Sequence, residues 1–277
     1  FAALLGDDSS GHFSVQPARN TGVLAQTYVP GTLTARTRWA DLSVVDYMPI
    51  SISSEDSHLR LIRRIRGTVP ARISFAPRPQ FGSVAVRFEV QQDRLIVISG
   101  TDPIELLAPG VEWEIHDEAG HQTATAIVDP SHGDVVLELR FGAHEGGEML
   151  DELSEALLRA TTEKSWTSWL DGLSLPGVRP RAEARSALTL RALSHAPTGG
   201  ILAAATTSLP EQLGGIRNWD YRFCWIRDAT LTARELVAIG SMEEGDALVR
   251  WIKDIDSTLD GAESMRPLYR LDGGAAG

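Results

Sequence analysis

Cysteine is almost missing from this chain: Cys224 is the only one among 277 residues. That rules out an internal disulfide framework and a zinc site built on cysteines. Histidine does not fill the gap, because His12, His58, His116, His121, His132 and His144 are scattered without metal-ligand spacing. No metal and no cofactor is expected. Long apolar runs are also lacking; none reaches the roughly eighteen residues of a membrane-spanning helix, so no membrane partner is expected. Positive charge is in deficit, with 26 Lys and Arg against 37 Asp and Glu for a net charge of −11. A basic face for nucleic acid is therefore disfavoured. The Gly214-Gly215 pair has neither a Walker nor a dinucleotide pattern around it. No strand–helix alternation appears, which argues against a Rossmann-like sheet.

What is present falls into two parts. Up to about residue 147, period-2 segments dominate. Val84, Val86, Phe88 and Val90 alternate with Ala85, Arg87 and Glu89, and Val135, Leu137, Leu139 and Phe141 alternate with Val136, Glu138 and Arg140. Each reads as a strand with one buried face. Further strands are expected at Val23–Val29, Leu33–Trp39, Leu42–Tyr47, Leu59–Arg66, Arg72–Phe75, Arg94–Ser99 and Val111–Ile115, separated by turns such as Pro30-Gly31 and Pro109-Gly110. Many short strands at this spacing predict an antiparallel β-sandwich over residues 1–147.

After Gly146-Gly147 the period becomes helical. Leu150, Leu153, Leu157 and Ala160 mark the apolar face of a first helix, with Trp166 and Trp169 on it or just beyond. Pro180 suits the start of a second helix running to about Leu193. A third begins near Ile226, carries Ala229, Ala233, Leu236 and Val237, and stops at Gly240. A fourth carries Leu248, Trp251, Ile252, Ile255 and Leu259. Residues 148–180 read as a helical linker and 181–277 as the opening of a larger α-helical domain. If the chain stopped at Gly277, the faces bearing Leu236, Leu248 and Trp251 are expected to lie exposed and solubility to be poor. The ends agree with a longer protein. Phe1-Ala2-Ala3-Leu4-Leu5 has no initiator methionine, basic leader or cleavage pattern, and Asp272-Gly273-Gly274-Ala275-Ala276-Gly277 does not resemble a packed end. A single cysteine points to a reducing, cytoplasmic setting.

The densest chemistry lies at Gly215-Ile216-Arg217-Asn218-Trp219-Asp220-Tyr221-Arg222-Phe223-Cys224-Trp225-Ile226-Arg227-Asp228-Ala229. Four aromatics, three arginines and two aspartates share these fifteen residues, in a chain that is only 6% aromatic. The mixture suits the wall of a polar pocket, where flat rings meet the C–H faces of a sugar and Arg and Asp take its hydroxyls.

Together with Arg185-Ser186-Ala187-Leu188, Ala196-Pro197-Thr198-Gly199 and Ala204-Ala205-Thr206-Thr207-Ser208-Leu209-Pro210-Glu211, this stretch resembles the bacterial branch of glycoside hydrolase family 15, the glucoamylases, glucodextranases and trehalases. The likeness is specific from Arg185 to Ala229 and looser over the strands. It implies an N-terminal β-sandwich followed by an (α/α)6 barrel, of which this chain would hold the first part. It implies hydrolysis of terminal α-glucosidic bonds with inversion by two glutamates, and an α-glucoside or oligosaccharide of the trehalose, maltooligosaccharide or dextran type as substrate. In the family both glutamates lie well past the Trp-x-Arg-Asp motif, whereas this chain runs only about fifty residues beyond it. No catalytic residue is therefore assigned, and the acid and base are expected beyond Gly277. What carries over is substrate binding: Arg227 and Asp228 on the hydroxyls of the terminal glucose, with Trp225 and Tyr221 lining the same pocket. Whether the protein forms a homo-oligomer is left open.

Plainer readings stand beside these. Arg227 and Asp228 could be an ion pair at a helix start. Asp220 and Asp228 could be a hydrolase pair, but Arg222 and Arg227 beside them favour ionised carboxyls over a raised pKa. Trp219 is assigned to packing, Cys224 to a buried small residue and His195 to a satisfied polar group at a helix end. Glu211 is left to pocket shaping or to fixing a turn. The alternative to an enzyme is a non-catalytic carbohydrate-binding or scaffold module.

Overall fold

The computed structural model describes residues 10–19, 21–50, 59–100, 103–118, 120–142, 149–206, 208, 211–261 and 264–276. The expected change of character at Gly146-Gly147 and three motif residues, Thr207, Leu209 and Pro210, lie outside them. The chain divides into two units, Phe1–Ser165 and Trp166–Gly277.

The first unit is built from β1 His12–Pro17, β2 Ala25–Tyr28, β3 Ala35–Arg38, β4 Leu42–Tyr47, β5 Leu59–Gly67, β6 Ala71–Ala76, β7 Arg87–Gln91, β8 Arg94–Ile98, β9 Ile104–Leu107, β10 Glu114–Glu118, β11 His121–Val128 and β12 Val135–Phe141. Four strands form a sheet in the order β1-β6-β11-β10, and eight form another in the order β2-β3-β4-β5-β12-β9-β8-β7. Neighbours in both sheets pair antiparallel. One apolar core is shared between them. Val15, Ile73, Phe75, Ala124 and Ala126 come from the smaller sheet, and Leu42, Val44, Ile65, Leu95, Leu106 and Leu137 from the larger. Two antiparallel sheets closed over a common core are the arrangement a β-sandwich requires.

Three strands, β1, β9 and β11, were not foreseen. β11 reads His-Gln-Thr-Ala-Thr-Ala-Ile-Val, and its core-facing positions are Ala124, Ala126 and Val128, two of them alanines. Small residues give a weak hydrophobic alternation even in a central strand. β7 departs from its expected face: Val86 is buried but Val90 is exposed, because β7 forms one edge of the larger sheet.

β12 departs further. Leu137 faces the shared core as expected, yet Val136, Glu138 and Arg140 on its other face are buried too. That outer face is covered by the start of α1 (Glu152–Asp171), where Leu150 and Leu158 pack with Tyr47, Ile62 and Val136. The cover is largely ionic. Glu138 accepts from Arg60 Nε and Arg140 Nε, both at 2.6 Å. Burial works to raise the Glu138 carboxyl, and the hydrogen bonds from Arg140 and Arg60 outweigh it and hold the group below its usual range. Glu155 of α1 is fully buried between Arg159 Nε at 3.0 Å and Arg64 Nη1 at 3.2 Å, and Arg64 also pairs with Asp134. This turns α1 over relative to the expected apolar face: Leu153 and Leu157 are 79% and 69% exposed, while Glu155 and Thr162 are buried. The periodicity is helical, but Arg64 of β5 selects the glutamate instead of the leucines.

In the second unit, α1 ends at Asp171. α2 spans Pro180–Ala192, α3 Ile226–Ala238 and α4 Met242–Asp256, and the two-residue strands β13 (Cys224–Trp225) and β14 (Leu268–Tyr269) pair antiparallel. Ile201, Cys224, Ala229, Ala233, Leu248, Trp251, Ile255 and Tyr269 form its core. Leu236, Leu248 and Trp251, whose exposure is expected only if the chain stops at Gly277, are buried within this unit. The reason is close approach: a Cβ on Gly245 of α4 would meet Val237 Cγ2 of α3 at 2.4 Å. The turn after α2 closes on α4 in the same way, with Gly199 at φ +84° and its hypothetical Cβ 2.4 Å from the Ala247 carbonyl oxygen.

Candidate functional site

Residues 217–223 pair antiparallel with Ala203, Ala204, Ser208 and Glu211. Backbone hydrogen bonds join Ala203 N to Phe223 O at 3.2 Å, Ala204 N to Tyr221 O at 2.9 Å, Ser208 N to Trp219 O at 2.8 Å and Glu211 N to Arg217 O at 3.2 Å. The tip turns through Gly214 at φ +75°, where Gly215 N donates to Gln212 O at 2.8 Å. A cleft of about 470 Å³ lies here, lined by Glu211, Gln212, Gly214, Gly215, Ile216 and Arg217.

Beyond this hairpin the chain enters β13 and then α3. Trp225 holds the N-cap position with an extended backbone, φ −81° and ψ 119°, and Ile226 N donates to Pro267 O at 3.0 Å. Strand pairing with β14 thereby fixes where α3 begins, and with it where Arg227 and Asp228 emerge. Asp228 lies in the first helical turn, where the helix dipole favours negative charge. Arg227 occupies the same turn, where the dipole disfavours a cation. It is 74% exposed and donates through Nη2 to Asp228 Oδ2 at 3.0 Å. Helix stability accounts for the aspartate but not for the arginine.

Of the four expected site residues, the structure joins Tyr221 to Trp225, with ring centroids 6.1 Å apart at 78°, and Arg227 to Asp228. The two pairs are linked by the short path Trp225-Ile226-Arg227. Trp225 Nε1 donates to the Asp220 carbonyl at 3.1 Å, which fixes its ring. Asp220 is clamped by Arg222 through Nε at 2.9 Å and Nη2 at 2.6 Å. Those side-chain hydrogen bonds hold the Asp220 carboxyl below the usual range against partial burial, and reciprocally raise Arg222. Asp220 is therefore an ionised anchor and not a proton donor.

Trp219 differs from its expected packing role. Its ring stands 6.5 Å from Trp225 at 86°, yet the residue is 43% exposed, and its Nε1 donates to Glu211 Oε1 at 3.2 Å. Glu211 lies eight positions upstream of Trp219, and the backbone bonds of Ser208 to Trp219 and of Glu211 to Arg217 bring the two side chains together. Cys224 is buried as expected, and burial pushes its thiol up to about 11. His195 follows the end of α2 and bonds Thr198 Oγ1 at 2.9 Å; burial lowers its pKa. Among the described residues, no group of three or more His, Cys, Asp or Glu is placed to hold a metal ion, and no helix is long and apolar enough to cross a membrane.

Comparison with known proteins bears on both units. Residues 1–166 match the model of the trehalase-like N-terminal domain, and residues 177–274 that of glycosyl hydrolases family 15. The chain belongs to the trehalase-like glycosyl hydrolases of family 15. Among its relatives are the trehalase of Mycobacterium tuberculosis, 30% identical over 92% of this chain and 41% of its own length, and that of Thermoplasma acidophilum, 28% identical over 98% and 47%. Trehalase 2 of Sulfolobus acidocaldarius is 27% identical over 99% and 46%. The chain thus spans somewhat under half the length of these curated relatives. Tyr221, Trp225, Arg227 and Asp228 all fall inside the family 15 match.

Proposed function

We propose that the full-length protein carrying this chain hydrolyses terminal α-glucosidic bonds with inversion, and that Arg227, Asp228, Trp225 and Tyr221 bind the terminal glucose. The observation that carries this reading is the exposed Arg227–Asp228 pair on the first turn of α3, two residues from a fixed aromatic pair. An exposed cation at the positive end of a helix is unfavourable for the helix alone. Opposite two neighbouring sugar hydroxyls it becomes useful, with the arginine donating and the aspartate accepting. The name trehalase on each of the relatives described puts trehalose first among α-linked substrates.

In this reading residues 1–147 are the sandwich, 148–180 a helical linker and 181–277 the first part of an (α/α)6 barrel. The catalytic glutamates lie beyond Gly277. One protonates the leaving oxygen while the other activates water from the opposite face, with the carboxyls roughly 6.5–9.5 Å apart. A general acid needs an elevated pKa. Asp220, the carboxyl beside the aromatic pair, is instead held below its usual range by its hydrogen bonds from Arg222. This favours a binding role for the present residues and keeps a second reading alive, a carbohydrate-binding module without turnover.

Trehalose hydrolysis by the full-length protein, followed by NMR before mutarotation, tests the proposal. Inversion yields one β-glucose and one α-glucose per bond broken. Release of α-glucose alone overturns inversion, and no turnover by the full-length protein favours the binding module.

A further inference from the structure

Trp219 is a large ring held at the surface by polar groups. Its backbone N donates to Ser208 Oγ at 2.7 Å and its carbonyl accepts from Ser208 N at 2.8 Å. Its indole N–H donates to Glu211 Oε1, while Glu211 Oε2 accepts from Arg217 Nη1 at 3.4 Å. A ring placed for packing alone would be covered; this one keeps 43% of its surface open. Its rotation is restrained by the Glu211 carboxylate on the indole N–H and by the edge-on Trp225 ring, while Ser208 anchors its backbone. An aromatic surface ordered before a ligand arrives loses little conformational entropy on binding, and an indole presents an apolar face beside a polar N–H edge. Trp225 is the shared edge-on neighbour of Tyr221 and Trp219. If Tyr221 and Trp225 line the terminal glucose, Trp219 stands next to that lining.

Resting on the glucose-site reading above, we propose that Trp219 is the platform for the second sugar ring, on the leaving side of the scissile bond, and that Glu211 is a positioning residue that holds the indole. The platform selects compact α-linked glucosides whose second ring can lie against it. Glu211 does no acid–base work: its two oxygens are occupied by Trp219 and Arg217.

The test uses the full-length enzyme with trehalose and maltose as disaccharides and glucose alone as competitive inhibitor. Trp219→Ala is expected to raise KM for at least one disaccharide about tenfold, near the value of one well-made aromatic contact, while the inhibition constant for glucose and kcat change less than about twofold. Glu211→Ala should show a weaker form of the same split. Glu211→Gln, which keeps an acceptor for the indole, should restore most of it. Equal weakening of glucose and disaccharide by Trp219→Ala overturns the platform, as does unchanged KM for both disaccharides. Loss of kcat in Glu211→Gln overturns the positioning role and makes Glu211 a reacting carboxyl. Arg227→Ala is the separate control. If it leaves glucose inhibition unchanged, the glucose-site reading itself fails and this inference falls with it. If it abolishes glucose inhibition while Trp219→Ala does nothing, only the platform fails.

Discussion

In the strand unit, each buried carboxylate holds two arginines at once, one close in sequence and one from a distant strand. Glu155 meets Arg64 and Arg159 with no exposure of its own, and Glu138 meets Arg60 and Arg140. In the helical unit, the charges between residues 211 and 228 sit near the surface with a partner close by in sequence. Arg227 pairs with Asp228 one position on, Arg222 with Asp220 two positions back, and Arg217 with Glu211 across a turn. The first kind is held out of solvent, and removing one member takes a shared partner from the others. The second kind gains little for stability and can trade its partner for a ligand hydroxyl. Charge therefore serves architecture in one unit, and in the other lies where the proposed recognition of glucose would draw on it.

Four measurements would break or sharpen that contrast. The largest effect is expected from Glu155→Ala, which leaves Arg64 and Arg159 without their shared carboxylate. A loss of about 3–5 kcal/mol in denaturant unfolding is expected, and a near-neutral result would mean the buried network is not architectural. Next comes Gly199→Ala, which tests whether the helical unit depends on close approach instead of charge. The positive φ and the Ala247 carbonyl 2.4 Å from the new Cβ predict a loss of about 1–3 kcal/mol.

A smaller, pH-dependent effect belongs to His195. Burial lowers its folded pKa, so as pH falls below about 6.5 the unfolded chain takes up the proton first. Stability should decline as pH drops from that value toward the lowered folded one, and His195→Gln should flatten the decline in a series of melts. The smallest change is expected from Arg227→Ala, whose exposed pair should alter stability by no more than about 0.5 kcal/mol. A large loss there would return Arg227 and Asp228 to a structural role.

The sequence was most readable where the signal is local. α3 begins at Ile226 and ends two residues before Gly240, because Ala229, Ala233 and Leu236 repeat at helical spacing and the glycine ends the run. The candidate site was readable for the same reason, since its residues lie within a few positions of one another. What escaped depends on distant partners. No periodicity shows that α1 buries Glu155 and exposes Leu153, for the deciding arginines lie on β5. β11 escaped because two of its three core-facing residues are alanines. Glu211 lay within the family motif, but its link to Trp219 needs a backbone pairing that spacing cannot reveal.

The most direct test of the central claim is calorimetric titration of glucose into the full-length protein and its Arg227→Ala variant, with melting curves recorded for both. The account predicts that affinity falls at least about tenfold, the scale of a lost charge-assisted hydrogen bond, while the melting temperature is unchanged. Glucose bound with undiminished affinity by Arg227→Ala would contradict it.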